Sequence, residues 1–166
     1  MFRVSCIQLK SNNNIQYNLK KTEKLIIKAV KQQTDFILTP EVSSMFSLNK
    51  KNLLKISTSM QNDIYLNGIK NLAKKYGKWI LIGSLIIRIK KNKLVNRSVL
   101  VSDKGKIKSY YDKIHMYDVI LSKKEKYFES NTFTPGKSIK SFKLPWGKLG
   151  FSICYDLRFP NLYRKL

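Results

Sequence analysis

The chain has 166 residues and sets 33 basic side chains against 10 acidic ones, a formal net charge of +23. That length predicts one domain. An apolar fraction of 43% with 11% aromatic residues excludes a disordered polycation. No run approaches the ~18 apolar residues that a spanning helix needs. The N-terminus has neither a long apolar core nor a small-residue cleavage site. The expectation is therefore a cytoplasmic domain with no membrane partner. Cys6 and Cys154 are the two cysteines, far apart, which disfavours a disulfide framework and a zinc module.

In chain order, residues 2 to 9 predict an opening strand. Phe2, Val4 and Cys6 fall on one face and Ile7 and Leu9 on the other, as in a strand covered on both sides, with Cys6 in the core. Residues 11 to 14, Ser-Asn-Asn-Asn, make a loop that supplies a helix N-cap. Ile15, Leu19, Ile26, Ala29 and Val30 are spaced as in a helix over residues 15 to 33. Asp35 to Thr39 is a short buried strand ended by Pro40. This β-α-β opening makes its two strands parallel.

A second helix is predicted from about Met60 to Tyr76, with Ile64, Ile69, Leu72, Ala73 and Tyr76 inward and Gly77 as its stop. Strands follow at 78 to 89, 94 to 102 and 107 to 111, joined by turns at 90 to 93 and 103 to 106. Residues 115 to 132 predict a long polar loop with at most one helical turn, and Thr134-Pro-Gly136 predicts a turn. Strands at 139 to 144 and 149 to 154 flank Trp146-Gly147, and Asp156 to Leu166 begins a last helix. No internal repeat or linker divides the chain.

Leu149-Gly-Phe-Ser-Ile-Cys154-Tyr-Asp-Leu-Arg-Phe-Pro160 is the most informative stretch. Leu149, Phe151 and Ile153 alternate against Gly150, Ser152 and Cys154. Cys154 then stands at a strand end just before a helix start, where a sharp turn exposes a side chain and the helix N-terminus favours a thiolate. The next backbone N–H, that of Tyr155, is placed to meet a developing oxyanion. The other reading is a small buried hydrophobe.

A thiolate nucleophile needs a base and a charge partner. His115 is the sole histidine and lacks the surroundings of a papain-like pair. Among the scarce acids, Glu41 follows Pro40 at the C-terminal end of a buried strand, where ligand sites of α/β sheets gather. Strand alternation gives Lys113 and His115 one face, lining one cleft. Each also has a plain alternative: Glu41 as a helix-start acid, Lys113 as one of 28 lysines, His115 as a structural hydrogen-bonder.

Taken together, Thr39-Pro-Glu41, Tyr111-Asp-Lys113-Ile-His115, Glu129 with Thr134-Pro-Gly136, and Gly150 through Pro160 resemble the nitrilase superfamily of carbon–nitrogen hydrolases. Asn96 and the Asp103-Lys-Gly turn belong to the same pattern. Lys113-Ile-His-Met-Tyr-Asp118 and the Arg-Phe-Pro ending are most similar to the omega-amidase and deaminated-glutathione amidase branch. The resemblance covers the entire chain. It implies an α/β fold, the N-terminal portion of an αββα sandwich, with residues 1 to 166 as an incomplete carbon–nitrogen hydrolase domain whose C-terminal part is missing.

The resemblance also implies a Glu–Lys–Cys triad acting on the amide of a small carboxylic acid and releasing ammonia through a Cys thioester. Glu41 is then the general base, Cys154 the nucleophile, and Lys113 with the Tyr155 N–H the oxyanion holder. Glu129 supports the lysine, and Asp156 and Arg158 brace the elbow. No metal or organic cofactor is implied, and the full-length family forms homo-oligomers.

Three alternatives stay open. One is an inactive truncated fragment. Another is a basic nucleic-acid-binding module on a decayed enzyme fold. The third, within the family, is a nitrilase or N-carbamoyl-amine amidase. Against nucleic acid, only 5 of the 33 basic residues are Arg, and the lysines are spread in twos and threes. Joint enrichment in Lys, Asn and Ile also fits an AT-rich coding sequence.

Overall fold

The computed structural model describes residues 2–166. Its centre is a five-stranded sheet in the order β1-β2-β3-β4-β5. β1 (Val4–Cys6), β2 (Phe36–Leu38) and β3 (Trp79–Lys90) run parallel. β4 (Lys93–Val101) and β5 (Ile107–Asp112) continue antiparallel. The parallel opening follows from the crossover helix α1 (Ile15–Lys31), which Asn14 caps by accepting from the Tyr17 N–H at 3.0 Å.

The second long helix, α3 (Ile64–Tyr76), starts later than the periodicity predicts. Met60–Asn62 form a separate 3-10 turn, and Asp63 then caps α3 by accepting from the Leu66 N–H at 2.7 Å. Ile64, at the first position, faces out, and Tyr65 and Leu66 take the buried positions instead. Gly77 ends α3 in the left-handed region at φ 60°. A short helix that the sequence pattern does not reveal, α2 (Lys50–Ile56), is capped by Asn49 and buries Leu53.

Helices α1 and α3 cover one face of the sheet. Ile26, Ala29, Tyr65, Ile69 and Ala73 pack there against Ile80, Ile82, Leu85, Ile87, Val95 and Val99. Each of the Ile, Leu and Val side chains among them contributes roughly 1.5–3 kcal/mol by leaving water. On the opposite face, the hairpin β8 (Ser141–Leu144) and β9 (Gly147–Gly150) brings Leu144, and Phe151 follows it, against Phe36, Leu81, Leu100 and Tyr111. Here the layers are helices, main sheet, and a second β layer begun by this hairpin.

Strand β3 carries an irregularity beside the Pro40–Ser43 turn. Ile82 pairs with Val99, but Leu85 pairs with Arg97, so two residues of β3, Gly83 and Ser84, oppose one of β4. Such a bulge shifts the alternation by one, which is why Ile82 and Leu85 share the helix-covered face. Further on, Ile86 joins Leu94, Leu53 and Met45 in a separate apolar cluster under the cleft.

The opening strand differs from expectation. Only Val4–Cys6 are extended and paired, at the sheet's edge. Phe2, Val4 and Cys6 do share a face, but it is exposed, so Cys6 is not a core residue. Its face meets no helix; Phe2 instead stacks on Trp146 at 4.8 Å. The stretch 115 to 132 is also more ordered than a loop. It folds into the hairpin β6 (Asp118–Ile120) and β7 (Lys126–Phe128), then a 3-10 turn, Glu129–Asn131. After β9 the extended pairing stops at Gly150, a 3-10 turn spans Cys154–Arg158, and the final helix α4 runs over Pro160–Lys165. No helix is long and apolar enough to cross a membrane.

Candidate active site

Glu41 lies just beyond β2, on a turn forced into shape by its neighbours. Val42 has φ 46°, a left-handed conformation that a β-branched residue avoids. Three contacts with the β3 bulge hold it there. The Val42 N–H donates to Ser84 Oγ at 2.8 Å, the Ser43 N–H donates to the Ser84 carbonyl at 3.0 Å, and the Ser84 N–H donates to the Pro40 carbonyl at 3.3 Å. The bulge needs Gly83, because a Cβ there would sit 2.2 Å from the Thr39 carbonyl oxygen.

Lys113 follows β5 directly. β4 and β5 are locked in register one residue earlier by a two-pronged ion pair. Arg97 Nε meets Asp112 Oδ1 at 2.6 Å and Nη2 meets Oδ2 at 2.8 Å. The Lys113 N–H donates to the Asn96 carbonyl at 2.9 Å, and the Gly136 N–H donates to the Lys113 carbonyl at 2.8 Å. The side chain is 2% exposed. Its ammonium contacts Glu129 Oε2 at 2.8 Å and Oε1 at 3.0 Å, and Glu41 Oε1 at 3.4 Å. Burial works against this charge, but the Glu129 hydrogen bond and the Glu41 and Glu129 charges outweigh it and hold Lys113 above the ordinary lysine value. Glu129 is fixed in turn by the Tyr117 N–H, which donates to Oε2 at 2.7 Å.

Cys154 has φ 47°, the strained sharp turn of an elbow, and its side chain is exposed. Glu41, Lys113, Glu129, Asn96 and Cys154 line one cleft of about 520 Å³, whose walls include Tyr117, Phe128 and Phe133. The thiolate-favouring effect expected of a helix start does not govern Cys154. Partial burial and the Glu41 carboxylate push its thiol up, and Lys113 offsets this only in part. The resting group is therefore the thiol, with a carboxylate at hand to take its proton. Tyr155 opens the following turn, where first-turn N–H groups have no helical acceptor. Its ring packs edge-on to Tyr117 at 5.1 Å.

His115 does not line the cleft with Lys113. Strand β5 ends at Asp112, so alternation stops and the chain turns. His115 instead stacks on Phe159 at 3.6 Å and places Nδ1 2.6 Å from Asp156 Oδ1. Asp156, fully buried, also accepts from Tyr111 Oη at 2.7 Å, the His115 N–H at 3.0 Å and the Ile153 N–H at 2.9 Å. It ties the residue before Cys154 to the end of β5. Arg158 takes no such part: it is exposed and makes no side-chain hydrogen bond or salt bridge among the described residues. No group of His, Cys, Asp and Glu able to hold a metal occurs among the described residues.

Two further residues shape the site. Ser84 gives no signal in the sequence, lying in a long apolar strand. Asn96 gives one, as part of the pattern upstream of Lys113, and the structure buries it in β4.

Comparison with known proteins shows the family and the fold of the chain. The carbon-nitrogen hydrolase family matches residues 3–166. The chain is 34% identical to deaminated glutathione amidase of Yersinia enterocolitica, over 98% of this chain and 57% of that protein. It is 30% identical to omega-amidase NIT3 of Saccharomyces cerevisiae, over 96% of this chain and 57% of that protein. Among solved structures, the C. elegans NitFhit protein superposes with a TM-score of 0.85 at 26% identity, over 98% of this chain and 41% of that one. An amidase from Nesterenkonia sp. gives 0.84 at 21% identity, over 98% and 59%. The chain thus spans about two-fifths to three-fifths of the length of these relatives. It shares the nitrilase-type α/β fold with these neighbours, and with its sequence matched from residue 3 to its last residue, it belongs to the carbon–nitrogen hydrolase family.

Proposed function

We propose that this chain carries the reaction centre of an amidase that hydrolyses the amide of a small carboxylic acid through a Cys154 thioester and releases ammonia. The observation that carries the reading is the convergence of Glu41, Lys113 and Cys154, from three separate segments, on one cleft. Glu41 takes the thiol proton as sulfur attacks the amide carbon, and the same proton then leaves with the amine. Lys113, charged and buried, faces the tetrahedral oxyanion together with the Tyr155 N–H. Water, deprotonated by Glu41, then attacks the thioester and frees the acid and the thiol. Every step uses groups of this chain alone.

The relatives support the amide as substrate class, since two are named for amidase activity. A variant of the Nesterenkonia amidase shows Michael addition of acrylamide at its active-site cysteine. The test is ammonia release from a panel of small ω-amides, with trapping of an acyl-enzyme by mass spectrometry. Cys154→Ala is expected to abolish both, and Lys113→Ala to remove turnover in a folded chain. Turnover persisting in Cys154→Ala overturns the reading.

A further inference from the structure

Asn96 stands mid-strand in β4 and is 2% exposed. Its Nδ2 donates to Glu41 Oε1 at 2.8 Å, and its backbone carbonyl accepts the Lys113 N–H at 2.9 Å. One residue therefore touches both groups that flank the cysteine. Its own Oδ1 is buried with no hydrogen-bond partner. A buried amide left half-satisfied costs stability, and an apolar residue of the same size would not carry that cost. Such an orphaned atom needs an explanation, and the bond to Glu41 supplies one.

The choice of donor matters as well. The groups facing Glu41 are Lys113 beyond β5, Glu129 in its 3-10 turn, Cys154 at the elbow and Asn96 on β4. Lys113 spends its two short contacts on Glu129 and stands at 3.4 Å from Glu41. The short donor to Glu41 is thus the neutral amide of Asn96. A neutral donor fixes a carboxylate's direction more weakly than a cation does, and so leaves it freer to accept a proton. Both nitrogen donors go to Oε1, and Oε2 accepts from no nitrogen among the described residues.

We propose that Asn96 is a positioning residue: it anchors Glu41 through Oε1 so that Oε2 faces the Cys154 thiol as the proton acceptor. The inference rests on Glu41 acting as the base, and its test is separable from amidase activity.

The experiment measures the pH dependence of Cys154 alkylation by iodoacetamide in a Cys6→Ser background, which leaves one thiol. Glu41→Gln in this background removes the carboxylate that pushes the thiol up, so its midpoint is expected at lower pH. Asn96→Leu, which removes the anchor and the orphaned oxygen together, is expected to fold as well as the parent by circular dichroism. Its midpoint is expected to fall between those of the parent and Glu41→Gln. Asn96→Thr, compatible with a strand but too short to reach Glu41, is the second variant. In both, kcat for amide hydrolysis falls about 10- to 100-fold with KM held, a part of the 10²–10⁴ that a general base contributes.

A midpoint equal to the parent's in both Asn96 variants, with Glu41→Gln shifted, overturns the proposal. An unshifted Glu41→Gln overturns it together with the base assignment. The expected midpoints without hydrolysis of any amide leave the positioning role standing and remove the amidase reading.

Discussion

The Lys113 ammonium reaches both oxygens of Glu129, at 2.8 and 3.0 Å, and stands farther from Glu41, at 3.4 Å. Glu129 thus neutralises the lysine while Glu41 is held by a neutral amide. Removing one member of such a buried pair leaves an uncompensated charge. Glu129→Gln keeps the shape but turns an amide N–H toward either Lys113 or the Tyr117 N–H, so one donor must face another. Expected losses are about 3 kcal/mol in urea unfolding and at least tenfold in turnover. Wild-type values for both would show that Lys113 leans on Glu41 instead.

The thiol of Cys154 gives a second reading of the same charges. Partial burial raises it first, Glu41 raises it further, and Lys113 lowers it. Lys113→Met removes the lowering influence, so the alkylation midpoint of Cys154 must rise and the rate at pH 7 must fall. Glu41→Gln acts in the opposite sense. Stopped-flow alkylation across pH 6 to 11 separates the two directions, and movement of both variants the same way contradicts the charge arrangement.

The third prediction concerns the elbow. Asp156 accepts four hydrogen bonds from Tyr111, His115 and Ile153 while fully buried. Asp156→Ala leaves these donors without an acceptor, at about 1–3 kcal/mol for each buried group, and frees the backbone that holds Cys154 at φ 47°. The chain is expected to lose several degrees of Tm and most of its Cys154-dependent chemistry. Arg158→Ala, two residues along and exposed, is expected to change neither. A Tm loss in Arg158→Ala matching that of Asp156→Ala contradicts this division.

How far the sequence discloses such arrangements depends on the range of the signal. The long β3–β4 pairing, the crossover helix and the Cys154 turn are legible because periodicity and a capped turn act over adjacent residues. Alternation misleads at Cys6 because it tells which residues share a face, not whether anything covers that face. Alternation misleads at His115 because the strand ends at Asp112. Helix α2 gives no periodic signal because its cap, Asn49, starts only seven residues with one buried side chain. The hairpin β6–β7 is mostly exposed and has no apolar alternation to reveal it. The thiol is pushed up by partial burial and then by Glu41, more than a hundred residues away, and no local pattern contains either.

A fourth prediction follows from Tyr65, buried beneath the Glu41 turn with its hydroxyl 2.8 Å from Thr22 Oγ1. Burial pushes its phenol up to about 12. The folded state therefore holds this proton more tightly than the unfolded chain, whose value is 10.0. Its contribution is complete below pH 10 and is lost as pH rises toward 12. The loss amounts to roughly 2–3 kcal/mol at 1.36 kcal/mol per pH unit. Urea unfolding at pH 8 and at pH 11 is expected to show a smaller drop for Tyr65→Phe than for the wild type. Equal drops would place Tyr65 in contact with solvent.

Two glycines separate backbone conformation from backbone proximity. Gly77 has φ 60° and nothing within 4 Å of a Cβ built on it. Gly77→Ala meets only the left-handed penalty, about 1–2 kcal/mol, at the far end of α3 from the cleft, and turnover is expected to hold. Gly83 has ordinary backbone angles, but a Cβ there would lie 2.2 Å from the Thr39 carbonyl oxygen and 2.6 Å from the Pro40 carbonyl. Both atoms belong to backbone that carries Glu41, so neither can move aside as a side-chain tip would. Gly83→Ala must push the Thr39–Glu41 turn off the β3 bulge, breaking the Ser84 contacts that hold Val42 in its strained conformation. A destabilisation of about 1–3 kcal/mol is expected from the clash. Turnover is expected to fall by far more than in Gly77→Ala at equal stability, because a displacement of about 1 Å at a catalytic group can cost a hundredfold in rate. Steady-state kinetics on the two variants, at a temperature where both are folded, makes the comparison, and equal kcat values would detach the bulge from the placement of Glu41.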